Sequence, residues 1–293
     1  MKIGICSKVQ KLLKIPKLEQ KTEAWYEARA NLITASDFAQ ALGEGKFGTQ
    51  KQLIEKKCLP RDATETSMSR VNPFFKWGNT FEPVAIAVYC RLQNKHVHEF
   101  GLLKHPHLNF FGASPDGITS DGIMVEIKCP YKRKPDGEVP KQYYYQIQGQ
   151  LDVCDLDDCD YFECVFEMLS DIDAFRESTS PDIIARGCYR DSSGEITYQE
   201  PFMKGDNIDD VWMGDDCRYW VLTQYNLKRV TRDKSFLATK FEELEKVWNK
   251  ILFYRQNPDA FALEIVQEQV IATEPFVAPK RAPTTYDTYM FRD

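Results

Sequence analysis

Residues 111 to 134, FGASPDGITSDGIMVEIKCPYKRK, gather two carboxylates, an amine and a basic run in one short stretch. In a β-strand, residues two apart share a face. Glu126 and Lys128 therefore project together, while Val125, Ile127 and Cys129 face the other way. Asp116 lies across the turn GITSDG, where a hairpin returns it alongside Glu126. Two oxygen donors from adjacent strands suit a hard divalent cation such as magnesium, which keeps several waters and engages a substrate phosphate. Hydrolysing a phosphodiester needs an oriented water, neutralisation of the developing charge and help for the leaving oxygen, all of which a bound metal supplies. Lys128 would set its ammonium against the attacked phosphate or the water. The plainer alternative is an edge strand with an exposed polar face, preceded by an ordinary Pro-Asp-Gly turn.

Several elements must hold these groups. After the basic loop, Pro140 suits the first turn of a helix through KQYYYQIQGQLDVC. At helical spacing Tyr143, Gln146, Gly149 and Gln150 share one face, and Tyr144, Ile147 and Leu151 another. Gln146 can hold a water or a phosphate oxygen without adding charge. Gly149 costs about 1 kcal/mol relative to alanine in a helix interior, which implies close approach of backbone or ligand. Upstream, Thr22 caps a helix over EAWYEARANL, and TASDFAQALGEG reads as a second helix capped by Ser36 and ended by Gly43. The tight turn between them leaves Arg29 and Ser36 close together. Residues 60 to 73 read as polar loop. FKWGNTFEPVAIAVYCRLQNK has the apolar spacing of a buried helix that Pro83 starts or kinks. HVHEFGLL, NFFGASPDGI and IMVEIKCP read as an antiparallel meander, and DYFECVFEM as a further strand. Beyond residue 170 come an irregular stretch, a hairpin around RDSSGEI, the strand YWVLTQYNLKRV, an amphipathic helix from Ser235 and a proline-bearing tail.

The chain has 293 residues, a formal net charge of −6, 43% hydrophobic and 13% aromatic residues. Such a composition supports a packed core and argues against wholesale disorder. Net acidity argues against a surface coated in nucleic acid, but a local basic groove remains compatible with it, since affinity follows the patch. No stretch has the length of a membrane span, and the N-terminus lacks the apolar core of a signal peptide, so an intracellular protein is expected. The nine cysteines read as reduced thiols. Lys8, Lys11, Lys14 and Lys17 read as a solvated basic arm, with weak DNA contact as the sharper alternative. His96, His98, His105 and His107 form two H-x-H pairs, for which polar positions in strands and turns are an adequate explanation.

ASPDG, VEIKCP and YYYQIQGQL, joined by Arg29 with ITASDF and by GNTFEP, together resemble the PD-(D/E)xK nucleases. The likeness is greatest to their lambda-exonuclease-like branch, the YqaJ-like viral recombinases. It spans about residues 22 to 168, with the motifs in order. The resemblance implies an α/β (α+β) restriction-endonuclease-like core, a central mixed sheet flanked by helices, with a C-terminal elaboration. It implies Asp116 and Glu126 as metal ligands, Lys128 as the catalytic lysine, Glu82 as a further acid near the metals and Gln146 as the helix glutamine. Arg29, Ser36 and Ser114 match positions that hold a terminal 5′-phosphate, a role that a guanidinium fork and small hydroxyls suit chemically. Lys132, Arg133 and Lys134 are expected to grip the DNA backbone, with a solvated loop as the alternative.

The expected organisation is a basic arm at 1–21, a nuclease domain at 22–260 (core motifs 22–168, elaboration 169–260) and a tail at 261–293. The expected activity is magnesium-dependent, with manganese as a substitute: 5′-to-3′ digestion of double-stranded DNA to mononucleotides, in recombination or viral genome processing. The rivals are an endonuclease or flap nuclease on the same core, and a non-catalytic DNA-binding protein. The resemblance implies duplex DNA ends, a single-strand annealing protein and further copies of the chain as partners, and no membrane is expected.

Overall fold

Local capping sets the first elements. The Thr22 hydroxyl accepts the Trp25 N–H and starts α2 (Glu23–Ala30), which follows a short α1 (Ser7–Leu12). The computed structural model describes residues 4–20, 22–59, 72–192 and 194–262. β1 (Ile33–Thr34) leads into a 3₁₀ turn at Ala35–Asp37 and then α3 (Phe38–Ala41). The cap here is Thr34 and not Ser36. Thr34 and Asp37 form a reciprocal capping box, which frees the Ser36 hydroxyl to point elsewhere. Gly43 ends the segment at φ +70°, as expected.

α4 (Gln50–Cys58) precedes the long α5 (Pro73–Gln93). The proline that starts α5 is Pro73, at the first helical position, where its missing N–H costs nothing. Pro83 lies inside the helix. Most of the polar loop expected at 60–73 lies outside the described residues.

The expected meander is split between two sheets. β2 (Val97–His98), β3 (Leu103–Lys104), β4 (Phe111–Ala113), β5 (Gly117–Thr119) and β6 (Ile123–Lys128) follow in order. β4 pairs with β3 and β1 in a small sheet, while β5 pairs with β2 and β6 in a large one. The break falls at Ser114-Pro115, because proline has no N–H to donate to a ladder. The β5–β6 hairpin itself forms, with Gly117 opposite Val125.

From β6 the chain crosses through α6 (Lys141–Cys154) to β7 (Asp158–Leu169), which lies parallel to β6. Pro140 stands at the N-cap of α6, one residue before its first turn. A short α7 (Ile172–Glu177) follows, in a stretch whose sequence carries no helix pattern. Then come β8 (Ala185–Ser192), its hairpin partner β9 (Glu195–Tyr198), β10 (Phe202–Met203), β11 (Cys217–Thr231) and α8 (Phe236–Gln256). The large sheet runs β10-β8-β11-β7-β6-β5-β2, with β9 on β8. Long antiparallel pairing of β11 with β7 and β8 anchors the C-terminal elaboration to the core.

Alternation along β6 and β7 feeds two apolar layers. Met124, Cys159 and Tyr161 pack with Ile147 and Leu151 of α6 and Leu244, Val247 and Ile251 of α8. Val125, Ile127, Phe162 and Phe166 pack with Phe81, Val84 and Val88 of α5. A third cluster forms around Phe175 and Tyr219. Gly149 is a packing position: a Cβ there would lie 3.0 Å from both Phe111 Cζ and Phe38 Cδ1. The close approach is therefore protein on protein, and no ligand is needed to explain it.

The N-terminal segment rests on the body, while Lys11, Lys14 and Lys17 remain exposed. Val9 is fully buried, the Cys6 N–H donates to the Ser120 carbonyl at 2.8 Å, Lys8 meets Asp157 at 2.9 Å and Lys17 meets Glu99 at 2.8 Å. All nine cysteines are free thiols. The tail at 261–293 falls almost wholly outside the described residues.

Candidate active site

β6 places Glu126 and Lys128 on the face it shares with α6, and the parallel ladder sets Tyr161 and Glu163 of β7 beside them. The Lys128 ammonium donates to Glu126 Oε1. Gln146 Nε2 donates to the same oxygen at 2.7 Å, and Gln150 Nε2 to Oε2 at 2.8 Å. Glu126 is wholly buried, whereas Lys128 keeps 22% of its side chain exposed, so the cluster is walled on one side and open to solvent on the other. Asp116 enters from the loop before β5, where its Oδ2 accepts the Ile127 N–H at 2.7 Å, between Glu126 and Lys128 in sequence. Backbone pairing thus brings together three groups that the sequence separates by a turn.

The electrostatics follow from crowding. Enclosure by protein raises the Asp116 pKa, and the neighbouring Glu126 and Glu82 carboxylates raise it further, against the pull of Lys128 and the Ile127 N–H. Burial would lower the Lys128 pKa, but Glu126 and Asp116 more than offset it, and the ammonium is held protonated above its ordinary value. Glu82, on α5, also raises the Cys129 thiol, after burial and ahead of Asp116. Tyr143 of α6 offers its ring face to Lys128, 4.9 Å from centroid to Nζ.

Among the described residues no group of three or more His, Cys, Asp or Glu side chains is already arranged around a metal position. The Glu126 oxygens are taken by Lys128, Gln146 and Gln150. Magnesium nonetheless fits by charge and donor type. Asp116 lies in the field of two further carboxylates, Glu126 and Glu82, and of the Lys128 ammonium. That surplus of hard oxygen charge is what a largely hydrated divalent cation, bound through one or two carboxylates, would neutralise.

A second constellation lies beside the first. Arg29 of α2 donates through Nη2 to Ser36 Oγ at 2.9 Å and to Thr34 Oγ1 at 3.2 Å, and its Nη1 approaches Ser114 Oγ at 3.4 Å. The three expected residues therefore converge. Thr34 and Trp25 complete the pocket: Arg29 Cζ stacks 4.4 Å from the Trp25 ring centroid. Beneath it, Lys57 Nζ donates to the Arg29 carbonyl at 2.8 Å and pairs with Asp37 Oδ2 at 3.0 Å, both buried. Ser114 precedes Asp116 by two residues, so the pocket and the carboxylates lie within about 7 Å of extended chain.

Sequence reading placed Gln150 on the polar face of the helix without giving it a role, and missed Thr34 and the Lys57–Asp37 pair. Gln150 was one helical turn from Gln146 on the same face, and Thr34 stood within the ITASDF turn, so both had a signal. Lys57 had none, since a lysine next to Lys56 on a short helix looks solvated.

The basic loop is not free to act as one patch. Arg133 pairs with the fully buried Glu163 and reaches Tyr161 Oη at 3.5 Å. Its guanidinium is thus tied to β7, while 35% of the side chain stays exposed. Lys132 and Lys134 remain exposed. Of the histidines, His105 pairs with Asp152 at 3.0 Å and His98 with Ser120 at 2.9 Å, which accounts for both as structural groups. Among the described residues no helix is long and apolar enough to cross a membrane.

Residues 24–157 match the family described as the YqaJ-like viral recombinase domain. An alkaline exonuclease from Laribacter hongkongensis has a similar fold, with a TM-score of 0.54 and 22% identity, over 83% of this chain and all of the other. An uncharacterised protein of Acanthamoeba polyphaga mimivirus is 25% identical, over 84% of this chain and 55% of its own length. A protein of African swine fever virus is 27% identical, over 45% of this chain and 46% of its own. The chain spans about half the length of these curated relatives.

Proposed function

We propose that the chain, whose residues 24–157 match the YqaJ-like viral recombinase domain, is a metal-dependent 5′-to-3′ exonuclease that digests double-stranded DNA from its ends to mononucleotides, in recombination or viral genome processing. The observation that carries this reading is the adjacency of two chemically distinct clusters. Asp116, Glu126 and Lys128 sit together, and Arg29, Ser36 and Ser114 form a cationic, hydroxyl-lined pocket joined to them through Ser114-Pro115-Asp116. A terminal phosphate held in that pocket would leave a phosphodiester within roughly one or two nucleotide steps of the carboxylates.

Asp116 and Glu126 would hold the metal, with Glu82 nearby, and the ion would supply Lewis-acid activation of the phosphoryl oxygen and of a water. The residues themselves do the rest. Gln146 and Gln150 fix the Glu126 carboxylate by one hydrogen bond to each oxygen. Lys128 presents positive charge where negative charge grows on the attacked phosphate. The Arg29 fork, stacked on Trp25, orients the end. Lys132 and Lys134 stand ready to meet the backbone.

The direct test incubates linear duplex DNA and closed circular DNA with the protein in magnesium, in manganese and in EDTA. The expected result is metal-dependent loss of the linear duplex from its 5′ ends with the circle intact. Cutting of the circle would replace the reading with an endonuclease on the same core. Binding without hydrolysis of any substrate would replace it with a DNA-binding role.

Arg29→Ala is expected to lower the preference for 5′-phosphorylated over 5′-hydroxyl ends by about tenfold or more, since hydrogen bonds to charged groups contribute about 1.5–3 kcal/mol. Initial rates on the two substrates in competition measure this. An unchanged preference removes the phosphate role from the pocket.

A further inference from the structure

The first turn of α5 and the loop after β6 form an aromatic surface that the core does not use. Phe74 is 55% exposed, Phe75 59% and Tyr131 46%, values at odds with rings that each carry about 150–250 Å² of surface to bury. The rings are organised. Phe74 meets Tyr131 edge-on at 5.6 Å between centroids, and Trp77 meets Tyr131 at 5.1 Å. Trp77 in turn contacts Phe81 at 4.5 Å, so positions 74, 77 and 81 form one helical stripe running from solvent into the core. The Trp77 indole N–H is buried and finds no acceptor among the described residues. Lys132 lies over the Tyr131 ring at 5.9 Å, and Lys76 is exposed on the same turn of α5.

Position gives this surface a use. Tyr131 follows Lys128 by three residues, within about 10 Å of extended chain. Phe75 precedes Glu82 by seven helical residues, again about 10 Å. The patch therefore lies about three base steps from the proposed reaction centre. Lysines at its border, on a chain of net charge −6, give it a local sign opposite to the whole and complementary to a phosphate backbone.

We propose that Phe74, Phe75, Trp77 and Tyr131 are a stacking platform for the unpaired bases of single-stranded DNA beside the active site. The inference deepens the nuclease reading and rests on it for the choice of ligand. Exposed ring faces accept any base, and the flanking ammonium groups hold the backbone, which is the sequence-tolerant way in which proteins bind single strands.

The test measures fluorescence anisotropy of the full chain with a labelled 5′-hydroxyl oligo-thymidylate in EDTA, so that neither hydrolysis nor the end-phosphate pocket contributes. The variants are Phe75→Ala with Tyr131→Ala, both at exposed positions, and Tyr131→Phe. The alanine pair is expected to weaken binding about tenfold or more, as loss of base–aromatic stacking does, while Tyr131→Phe binds as the wild type. An abasic oligonucleotide of the same length should bind the wild type and the alanine pair equally. Equal binding of the base-bearing strand by wild type and alanine pair, or no binding by the wild type, overturns the proposal. So does a wild-type dimer in sedimentation that the alanine pair turns to monomer, which would assign the patch to a second copy. Patch-dependent binding by a protein that hydrolyses nothing would sink the nuclease reading alone, and normal digestion with unaltered binding would sink the platform alone.

Discussion

Asp116→Asn is expected to lower the rate of digestion of a 5′-phosphorylated linear duplex by at least about a thousandfold, or about 4 kcal/mol of barrier. The substitution keeps the volume and an oxygen that can still accept the Ile127 N–H, which the wild-type Oδ2 accepts at 2.7 Å. It removes the charge that a magnesium ion needs. The variant should therefore fold while failing to hold the ion, which gives a second readout independent of activity. Saturating magnesium should raise the melting temperature of the wild type, because a ligand bound only by the folded state stabilises it, and should leave that of Asp116→Asn unchanged. In metal-free buffer the variant should melt at or above the wild-type temperature, since Asp116 is crowded by Glu126 and Glu82. Digestion at near wild-type rate would remove Asp116 from the site. A thermal response to magnesium equal to that of the wild type would place the ion elsewhere.

The second large effect falls on stability. Lys57→Met is expected to cost about 3–5 kcal/mol, because it leaves Asp37 buried without its partner. Lys57 is 6% exposed and Asp37 8%. Burial would raise the Asp37 pKa, but Lys57, then Lys56 and Arg29, together with the Thr34 hydroxyl, hold it well below the ordinary carboxylate range. A carboxylate whose folded pKa is depressed contributes stability that is present above its unfolded value, about 3.9, and that is lost as pH falls towards the folded one. Between neutral pH and about pH 4 the depressed Asp37 carboxylate therefore contributes in full, offset in part by Lys57, whose own pKa burial lowers. Denaturant unfolding at neutral pH measures the loss, and the double variant Asp37→Asn with Lys57→Met should recover part of it. Because Lys57 also holds the Arg29 carbonyl, the single variant should weaken the preference for 5′-phosphorylated ends. A variant as stable as the wild type would show that the pair's desolvation cancels its attraction.

Much of the site was legible before the fold. The period of two along VEIK placed Glu126 and Lys128 on one face, and Val125 and Ile127 do pack on the opposite layer. The hairpin turn returned Asp116, the spacing in YYYQIQGQL put Gln146 towards the strand, and the short turn between two helices brought Arg29 to Ser36. Each of these follows from local geometry, which a few residues and their spacing determine. By itself the sequence also established the mixed order of helices and strands around that hairpin, and its resemblance to the PD-(D/E)xK nucleases supplied the class of fold.

Tertiary structure decided what depends on distant partners. Pro115 marks where the meander breaks, but that β4 joins β1, far back in the chain, was decided by the tertiary structure. It turned Gly149 into a contact with Phe38 and Phe111, docked the N-terminal lysines on Asp157 and Glu99, and committed Arg133 to Glu163 across the β6–β7 ladder. It also buried Lys57, an ordinary lysine by sequence, under the arginine that the phosphate pocket needs. Spacing shows which side chains share a face. What fills the space opposite that face is set by long-range packing, and there charge, exposure and the freedom to bind are decided.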